Sequence, residues 1–330
     1  MNISDIDALR RDYVDLAQPR LGSAVVYATD DFFADKARLI DPAPPAFIPG
    51  KYDDNGKWMD GWESRRKRTP GHDWCVIRLG VTGQVAGFEI DTSHFTGNYP
   101  PGAQIELCRS DEINPADGWV QVTPRLELRG DDRIYVPIDH AEPVTHVRLH
   151  IFPDGGVARL RVWGRVAPDW PAITGAGPID LLAMEHGGRG IIANDVHYGR
   201  LENLTAPGRG ADMGDGWETR RRREPGHDWA IFSLGAPGTI ERIEIDTAHF
   251  KGNYPEHCSI QASMAADGAP EDIARQAGDW HVLLPKVKLE ADRVHVFRDE
   301  IARLGAVRFV RLNIYPDGGV SRLRLFGRAR

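Results

Sequence analysis

Three polar segments of this chain occur twice, and each carries residue types suited to acid–base or anion-binding chemistry. DGWESRRKRTPGHDW starts at Asp60, and DGWETRRRREPGHDW starts at Asp215. EIDTSHFTGNYP from Glu89 returns as EIDTAHFKGNYP from Glu244. RLHIFPDGGVARLRVWGR from Arg148 returns as RLNIYPDGGVSRLRLFGR from Arg311. Over Asp60–Gly80, Phe88–Pro100 and Arg148–Arg165, 37 of 52 positions are identical, many of them Arg, His, Asp, Asn and Gly. A core refills with many apolar combinations, so shared polar side chains point to a duplicated chemical site.

In the first motif, the forked donors of arginine suit a planar carboxylate or a ureido oxygen. Arg65 and Arg66, with Arg220 and Arg221, are therefore substrate-binding candidates. Charge is kept between copies, since Lys67 faces Arg222. The plainer reading of such a run is a solvated basic loop balanced by Asp60, Glu63 and Asp73. The duplication argues against that for one or two of the arginines. Trp62 and Trp74 read as packing residues.

The second motif carries Asp91, His94, Asn98 and Tyr99, repeated as Asp246, His249, Asn253 and Tyr254. Strand alternation turns Phe88 and Ile90 inward and Glu89 and Asp91 the other way. His94 then sits at the strand end, where loops carry function. An imidazole beside a carboxylate is a candidate general acid or base. His94 with Asp91, and His249 with Asp246, are thus catalytic candidates, and Asn98 and Asn253 substrate-binding ones. The alternative is a structural His–Asp bond that holds a loop. His72–Asp73 and His227–Asp228 supply a second imidazole–carboxylate pair per repeat, which adds His72 and His227 to the catalytic candidates. His72, Asp73, His94, His227, Asp228 and His249 could also ligate a divalent ion. No HxH or HExxH spacing marks such a site, so a divalent metal is left open and no cofactor is certain. In the third motif, Arg159, Arg161, Arg322 and Arg324 read as surface arginines on an edge, and Asp154 and Asp317 as turn residues.

Short strands must position these segments. Ala24–Ala28, Cys75–Leu79, Phe88–Asp91, Val147–Ile151 and Leu160–Trp163 have strand composition or alternation. FPDGG and YPDGG are turn chemistry. Ile179–Met184 followed by Gly187-Gly188 predicts a short helix with a glycine C-cap. Many short strands without a repeating helix give an all-β chain of two tandem jelly-roll β-sandwich domains, residues 1–168 and 169–330. The offset between copies is 165 near the start, 155 at DGWE and 163 at PDGG. Ten extra residues therefore fall in the Pro-rich tract 41–57 of repeat 1, and eight around 265–277 of repeat 2, both loop-like in composition.

A net charge of −7 argues against a nucleic-acid partner. No apolar run approaches membrane-spanning length. The N-terminus, MNISDIDALRR, lacks a basic start and an apolar stretch, so no secretory signal is expected, and GRAR at the C-terminus is no peroxisomal address. Cys75, Cys108 and Cys258 do not recur between repeats, which disfavours disulfide, zinc-cluster and thiol-nucleophile roles and fits a cytoplasmic protein. Two sandwiches with exposed edges predict a homo-oligomer.

The duplicated DGWE-[ST]-RR-[KR]-R, GHDW, EIDT-x-HF-x-GNYP and PDGG-V-x-R segments, together with ATDDFFA from Ala28, resemble the allantoicase family from about Asp15 to Arg328. The resemblance implies a galactose-binding-like jelly roll and hydrolysis of allantoate to ureidoglycolate and urea, a step in recovering purine nitrogen through allantoin. That substrate carries one carboxylate and two ureido groups on a single carbon, so it asks for arginine and for a proton donor to the departing nitrogen. Our assignment from the residues gives substrate holding to Arg65 and Arg66 (or Arg220 and Arg221), and proton handling to His94 and Asp91 (or His249 and Asp246). The copies are unequal: Asp31-Phe32-Phe33 becomes Val196-His197-Tyr198, and His150 faces Asn313. The competing class is a non-catalytic tandem module that binds a carbohydrate or another small molecule; a scaffold of ion-paired loops is a third.

Overall fold

The computed structural model describes residues 13–175 and 177–330. The N-terminal segment read for a secretory signal lies outside the described residues. The chain divides between Ala167 and Pro168 into two compact units.

In the first unit the main strands are β1 (Ala24–Ala28), β2 (Asp73–Asp91), β3 (Gly102–Cys108), β4 (Arg133–Pro137), β5 (Val144–Phe152) and β6 (Arg159–Val166). All of their pairings are antiparallel. The 19-residue β2 belongs to both layers of the sandwich. Its first half runs between β1 and β5, with Ala28 and Leu149 both opposite Cys75. Its second half runs between β4 and β6, with Arg133 and Arg159 both opposite Asp91. β3 extends the first layer beyond β5.

The period-two pattern explains this arrangement. Val147, Leu149 and Ile151 of β5, Phe88 and Ile90 of β2, and Leu160 and Val162 of β6 are at most 1% exposed and share one core. Each such side chain stabilises the fold by about 1.5–3 kcal/mol on burial. A one-residue slip would turn the whole set toward solvent, so the register is firmly specified. The opposite face of β2 is also covered. Trp163 Nε1 donates to Glu89 at 3.3 Å, and Arg133 pairs with Asp91 at 3.0 Å.

The second unit repeats the plan with β7 (Arg189–Ala193), β8 (Asp228–Asp246), β9 (His257–Ser263), β10 (His281–Lys288), β11 (Val294–Phe297), β12 (Val307–Tyr315) and β13 (Arg322–Ala329). β8 runs between β7 and β12, then between β11 and β13. Two tandem antiparallel sandwiches agree with the all-β jelly-roll reading.

Three local expectations change. Ile179–Asp180 is a strand paired with Phe326 and Gly327, and only Met184–His186 turns, as a 3-10 helix closed by left-handed Gly187. Backbone pairing with β13 outweighs the local helical pattern. The insertion around 265–277 is not all loop, because Pro270–Gln276 forms a helix with Pro at its start and Glu271 and Asp272 in its first turn. Its Ile273 packs with Ile191, Ile231 and Trp280. The Pro-rich tract of repeat 1 ends in a small hairpin, Tyr52–Asp53 against Gly56–Lys57.

Candidate active site

At one end of each sandwich, three segments meet: the stretch leading into the long strand, the loop after it, and the PDGG turn. In repeat 1, Trp62–Glu63 pairs with Gly156–Val157. Gly156 N–H donates to Asn98 O at 2.7 Å, and Ser64 N–H donates to Gly155 O at 3.1 Å. A Cβ on Gly156 would land in the Phe95 ring, and one on Gly319 in the Phe250 ring, so only glycine permits this approach in either copy. Trp62 is fully buried, as expected of a packing residue, and its Nε1 donates to Asp30 O at 2.8 Å.

The basic loop is held at alternate residues. Arg65 N–H donates to Asp30 at 3.0 Å and Lys67 N–H to Asp154 at 2.7 Å. Repeat 2 does the same, with Arg220 N–H on Asp195 at 2.6 Å and Arg222 N–H on Asp317 at 2.8 Å. Asp154 and Asp317 are therefore more than turn residues. The Lys67 and Arg222 side chains pair with Asp73 and Asp228. The Arg65 guanidinium pairs with Asp30 at 2.6 Å and lies over Phe32 at 5.0 Å; Arg220 approaches His197 at 3.3 Å. Between the two held amides stand Arg66 and Arg221. Both are exposed, and neither side chain has a partner among the described residues. The backbone is fixed while the central guanidinium stays free.

Beside this loop sits a carboxylate that the sequence reading treated only as a counter-charge. Glu63 is 9% exposed and accepts from Asn98 Nδ2 at 2.7 Å. Glu218 accepts from Asn253 Nδ2 at 2.5 Å. Burial pushes the Glu63 carboxyl up from its usual pKa, and the Asn98 bond opposes that in part. Asn98 and Asn253 thus reach the site through a glutamate. The DGWE signal was visible, but a contact across 35 residues was not.

The histidines divide into two groups. His72 does not pair with Asp73, which is taken by Lys67 and Thr29. Instead His72 Nε2 lies 2.9 Å from His150 Nδ1, and His150 Nε2 lies 2.9 Å from Glu106. The His72 ring also sits 4.4 Å from Phe152, at the edge of the PDGG turn. In repeat 2, His227 Nε2 lies 3.2 Å from Asn313 Oδ1, and Asp228 is held by Arg222 and Asn194. Burial lowers the pKa of His72, His150 and His227.

His94 and His249 are placed differently. Each has a left-handed backbone, φ 70° and 72°, which is uncommon outside glycine. Their N–H groups donate to Asp131 at 2.8 Å and Asp292 at 2.7 Å. Their Nε2 atoms meet the Pro45 and Gly210 carbonyls at 3.3 and 2.8 Å. Asp91 instead holds Ser93 N–H and Arg133, while Asp246 holds Ala248 N–H and faces Arg209. The expected His94–Asp91 and His249–Asp246 pairs are not made, and these imidazoles fasten the loops that carry Asn98 and Asn253.

Among the described residues no three His, Cys, Asp or Glu side chains converge to hold a metal ion. His72, Asp73, His94, His227, Asp228 and His249 each have other partners. Arg159 and Arg322 are not surface residues: they are 2% and 3% exposed and pair with Asp60 and Asp215 at 2.8 and 2.9 Å. Breaking such a buried pair costs about 3–5 kcal/mol. Arg161 and Arg324 are partly buried, facing Asp15 and Asp180 at 3.5 and 3.6 Å.

Comparison with known proteins places this geometry. The allantoicase repeat model matches residues 14–167 and again 179–330. A probable allantoicase of Burkholderia mallei is 54% identical over 319 residues, covering 96% of this chain and 95% of the relative. One from Photobacterium profundum is 51% identical over 317 residues, with 96% of each chain covered. The crystal structure of allantoicase from Saccharomyces cerevisiae superposes with a TM-score of 0.83 at 34% identity, covering 99% of this chain and 98% of that one. The chain belongs to the allantoicase family.

Proposed function

We propose that the duplicated loop end binds allantoate and hydrolyses it to ureidoglycolate and urea. Family membership over nearly the whole chain supports the activity. One observation carries the location: in both repeats, a loop held at alternate amides presents an unpaired guanidinium three residues after a carboxylate bonded to an asparagine. Arg66 or Arg221 takes the substrate carboxylate through paired donors, an interaction that water screens less once the ligand covers it. In this reading Glu63 or Glu218 gives a proton to the departing ureido nitrogen. The raised pKa of Glu63 favours the carboxyl form that this requires. An imidazole, His72 or His227, lies at the far edge of the same turn.

The binding-module alternative is not favoured, since the chain matches allantoicases along both repeats. The described residues contain no helix long and apolar enough to cross a membrane. A cytoplasmic location stays a proposal, supported by three buried free cysteines. Homo-oligomerisation is likewise a proposal, supported by exposed apolar side chains such as Tyr52, 70% exposed, and Ile113, 65% exposed.

The test is Glu63→Gln and Glu218→Gln, singly and together. Glutamine keeps an acceptor for Asn98 or Asn253, so the fold holds. Loss of a general acid lowers turnover about 10²–10⁴-fold. Full turnover in the double variant would remove both glutamates from the mechanism.

A further inference from the structure

One difference between the two repeats changes the chemistry of the groups around a site histidine. In repeat 1, three polar side chains form a chain: Glu106 to His150 at 2.9 Å, and His150 to His72 at 2.9 Å. Arg148 also donates to Glu106, at 2.6 Å from its Nε. In repeat 2 the strand register puts Gln261 opposite Arg311 and Ser259 opposite Asn313. There His227 meets Asn313 Oδ1 at 3.2 Å, and Asn313 Nδ2 donates to Gln261 and Ser259 at 3.1 and 3.2 Å. A carboxylate and an imidazole have been exchanged for two amides.

The proton positions follow from acceptor counting. Burial raises the pKa of Glu106, but the bonds from His150 and Arg148 outweigh it and bring the pKa below its usual value, so Glu106 is an ionised acceptor. His150, kept neutral by burial, has one N–H, and Glu106 claims it at Nε2. Its Nδ1 is then a lone pair, so His72 must donate from Nε2. That leaves the His72 Nδ1 as a lone pair with no partner among the described residues. The groups facing His72 are Lys67, Asp73, Arg125 and His150, with the Trp74 and Phe152 rings beside it. Lys67 and Asp73 pair with each other, which leaves the relay as the interaction that fixes the tautomer. Asn313 Oδ1 fixes the same tautomer on His227, but no carboxylate ends that chain to stabilise an imidazolium.

We propose that Glu106 and His150 are positioning residues that set His72 Nδ1 as the proton acceptor, so that repeat 1 carries the hydrolysis and repeat 2 keeps only the binding loop. This rests on the function proposed above. In the step, an attacking water gives one proton to His72 Nδ1 while its oxygen bonds to the central carbon of allantoate. The carbon–nitrogen bond to one ureido group breaks, and that nitrogen takes the proton of the Glu63 carboxyl and leaves as urea. His72 is left protonated and Glu63 ionised, and solvent resets both.

The test has two arms on the full chain. In protein labelled with ¹⁵N-histidine, long-range ¹⁵N–¹H correlation reads each tautomer, with His72→Gln assigning the signal. The expected result is His72 protonated at Nε2 in the wild type and mixed tautomers in Glu106→Gln. A His72 protonated at Nδ1, or one unaffected by Glu106→Gln, would overturn the relay whether or not the chain acts on allantoate. In the second arm, His72→Gln lowers kcat about 10²–10⁴-fold, and His227→Gln leaves it little changed. Glu106→Gln lowers kcat with KM little changed and moves the acid limb of the pH profile downward. His150→Asn, which copies the residue repeat 2 folds with, does the same. Equal losses in His72→Gln and His227→Gln, or an unmoved pH profile, would overturn the division between repeats. Absence of allantoate turnover in the wild type would instead strike the proposed function, with the tautomer result still deciding the relay.

Discussion

Asn98→Asp probes the contact on which the site depends. The wild-type amide donates to Glu63 at 2.7 Å; aspartate fits the same space and replaces that donor with a second carboxylate. Two charges at that spacing repel by about 1.5 kcal/mol in the dielectric of water and about 6 kcal/mol at an effective value of 20. Glu63 is buried and Asn98 is exposed, so the cost falls in the lower part of that range, about 2–3 kcal/mol at pH 7.5. As the pH falls the pair keeps one proton and a short hydrogen bond replaces the repulsion. The sign follows from linkage. The folded pair has a pKa raised above the unfolded value, so its contribution is present at low pH and lost as the pH rises through that pKa. At about 2–4 °C per kcal/mol for a domain of this size, the repeat 1 transition drops about 4–12 °C relative to wild type at pH 7.5. At pH 5 the difference shrinks to less than half. Thermal unfolding of both proteins across that range is the assay. A difference that does not depend on pH, or none at pH 7.5, would refute the Glu63–Asn98 pairing.

Three other outcomes follow from the same geometry. Arg66→Ala and Arg221→Ala remove a charge-assisted donor pair worth about 1.5–3 kcal/mol, so KM for allantoate rises about 10–150-fold in the copy that acts, with the melting temperature unchanged. Gly156→Ala forces a Cβ into the Phe95 ring and destabilises by about 1–3 kcal/mol, while Gly97→Ala, with nothing within 4 Å of its added Cβ, stays within about 0.5 kcal/mol; denaturant unfolding compares them. His72, His146, His150 and His227 all have pKa values lowered by burial. Their contribution is full above the unfolded value near 6.5 and is lost as the pH falls through it toward the folded values, so wild-type melting temperature declines between about pH 6.5 and 5.

The repeat was legible because polar identity between copies is rare without a shared task, and strand alternation located Val147–Ile151 and Leu160–Trp163. The helix expected at Ile179–Met184 failed because an apolar run cannot show that β13 offers it backbone partners. Arg159 looked like an edge residue because alternation says which face a side chain takes and not what covers that face; Asp60 and the Ala43 carbonyl cover it. The loop motifs point to Arg66 and Asn98, whereas they mark Glu63 only as a counter-charge and do not show its contact with Asn98. His94 drew notice for its neighbour in sequence, Asp91, yet left-handed backbone geometry turns the imidazole to the Pro45 carbonyl. The His72–His150 contact spans 78 residues and depends on β2 and β5 pairing in register, which no local pattern encodes.

The most direct measurement is incubation of the purified chain with allantoate, with ureidoglycolate and urea followed separately, in the presence and absence of EDTA. Equal release of both products, unchanged by EDTA, is the predicted result. No release would contradict hydrolysis at this site, and release abolished by EDTA and restored by a divalent ion would contradict a reaction carried by Arg66, Glu63 and His72 without a metal.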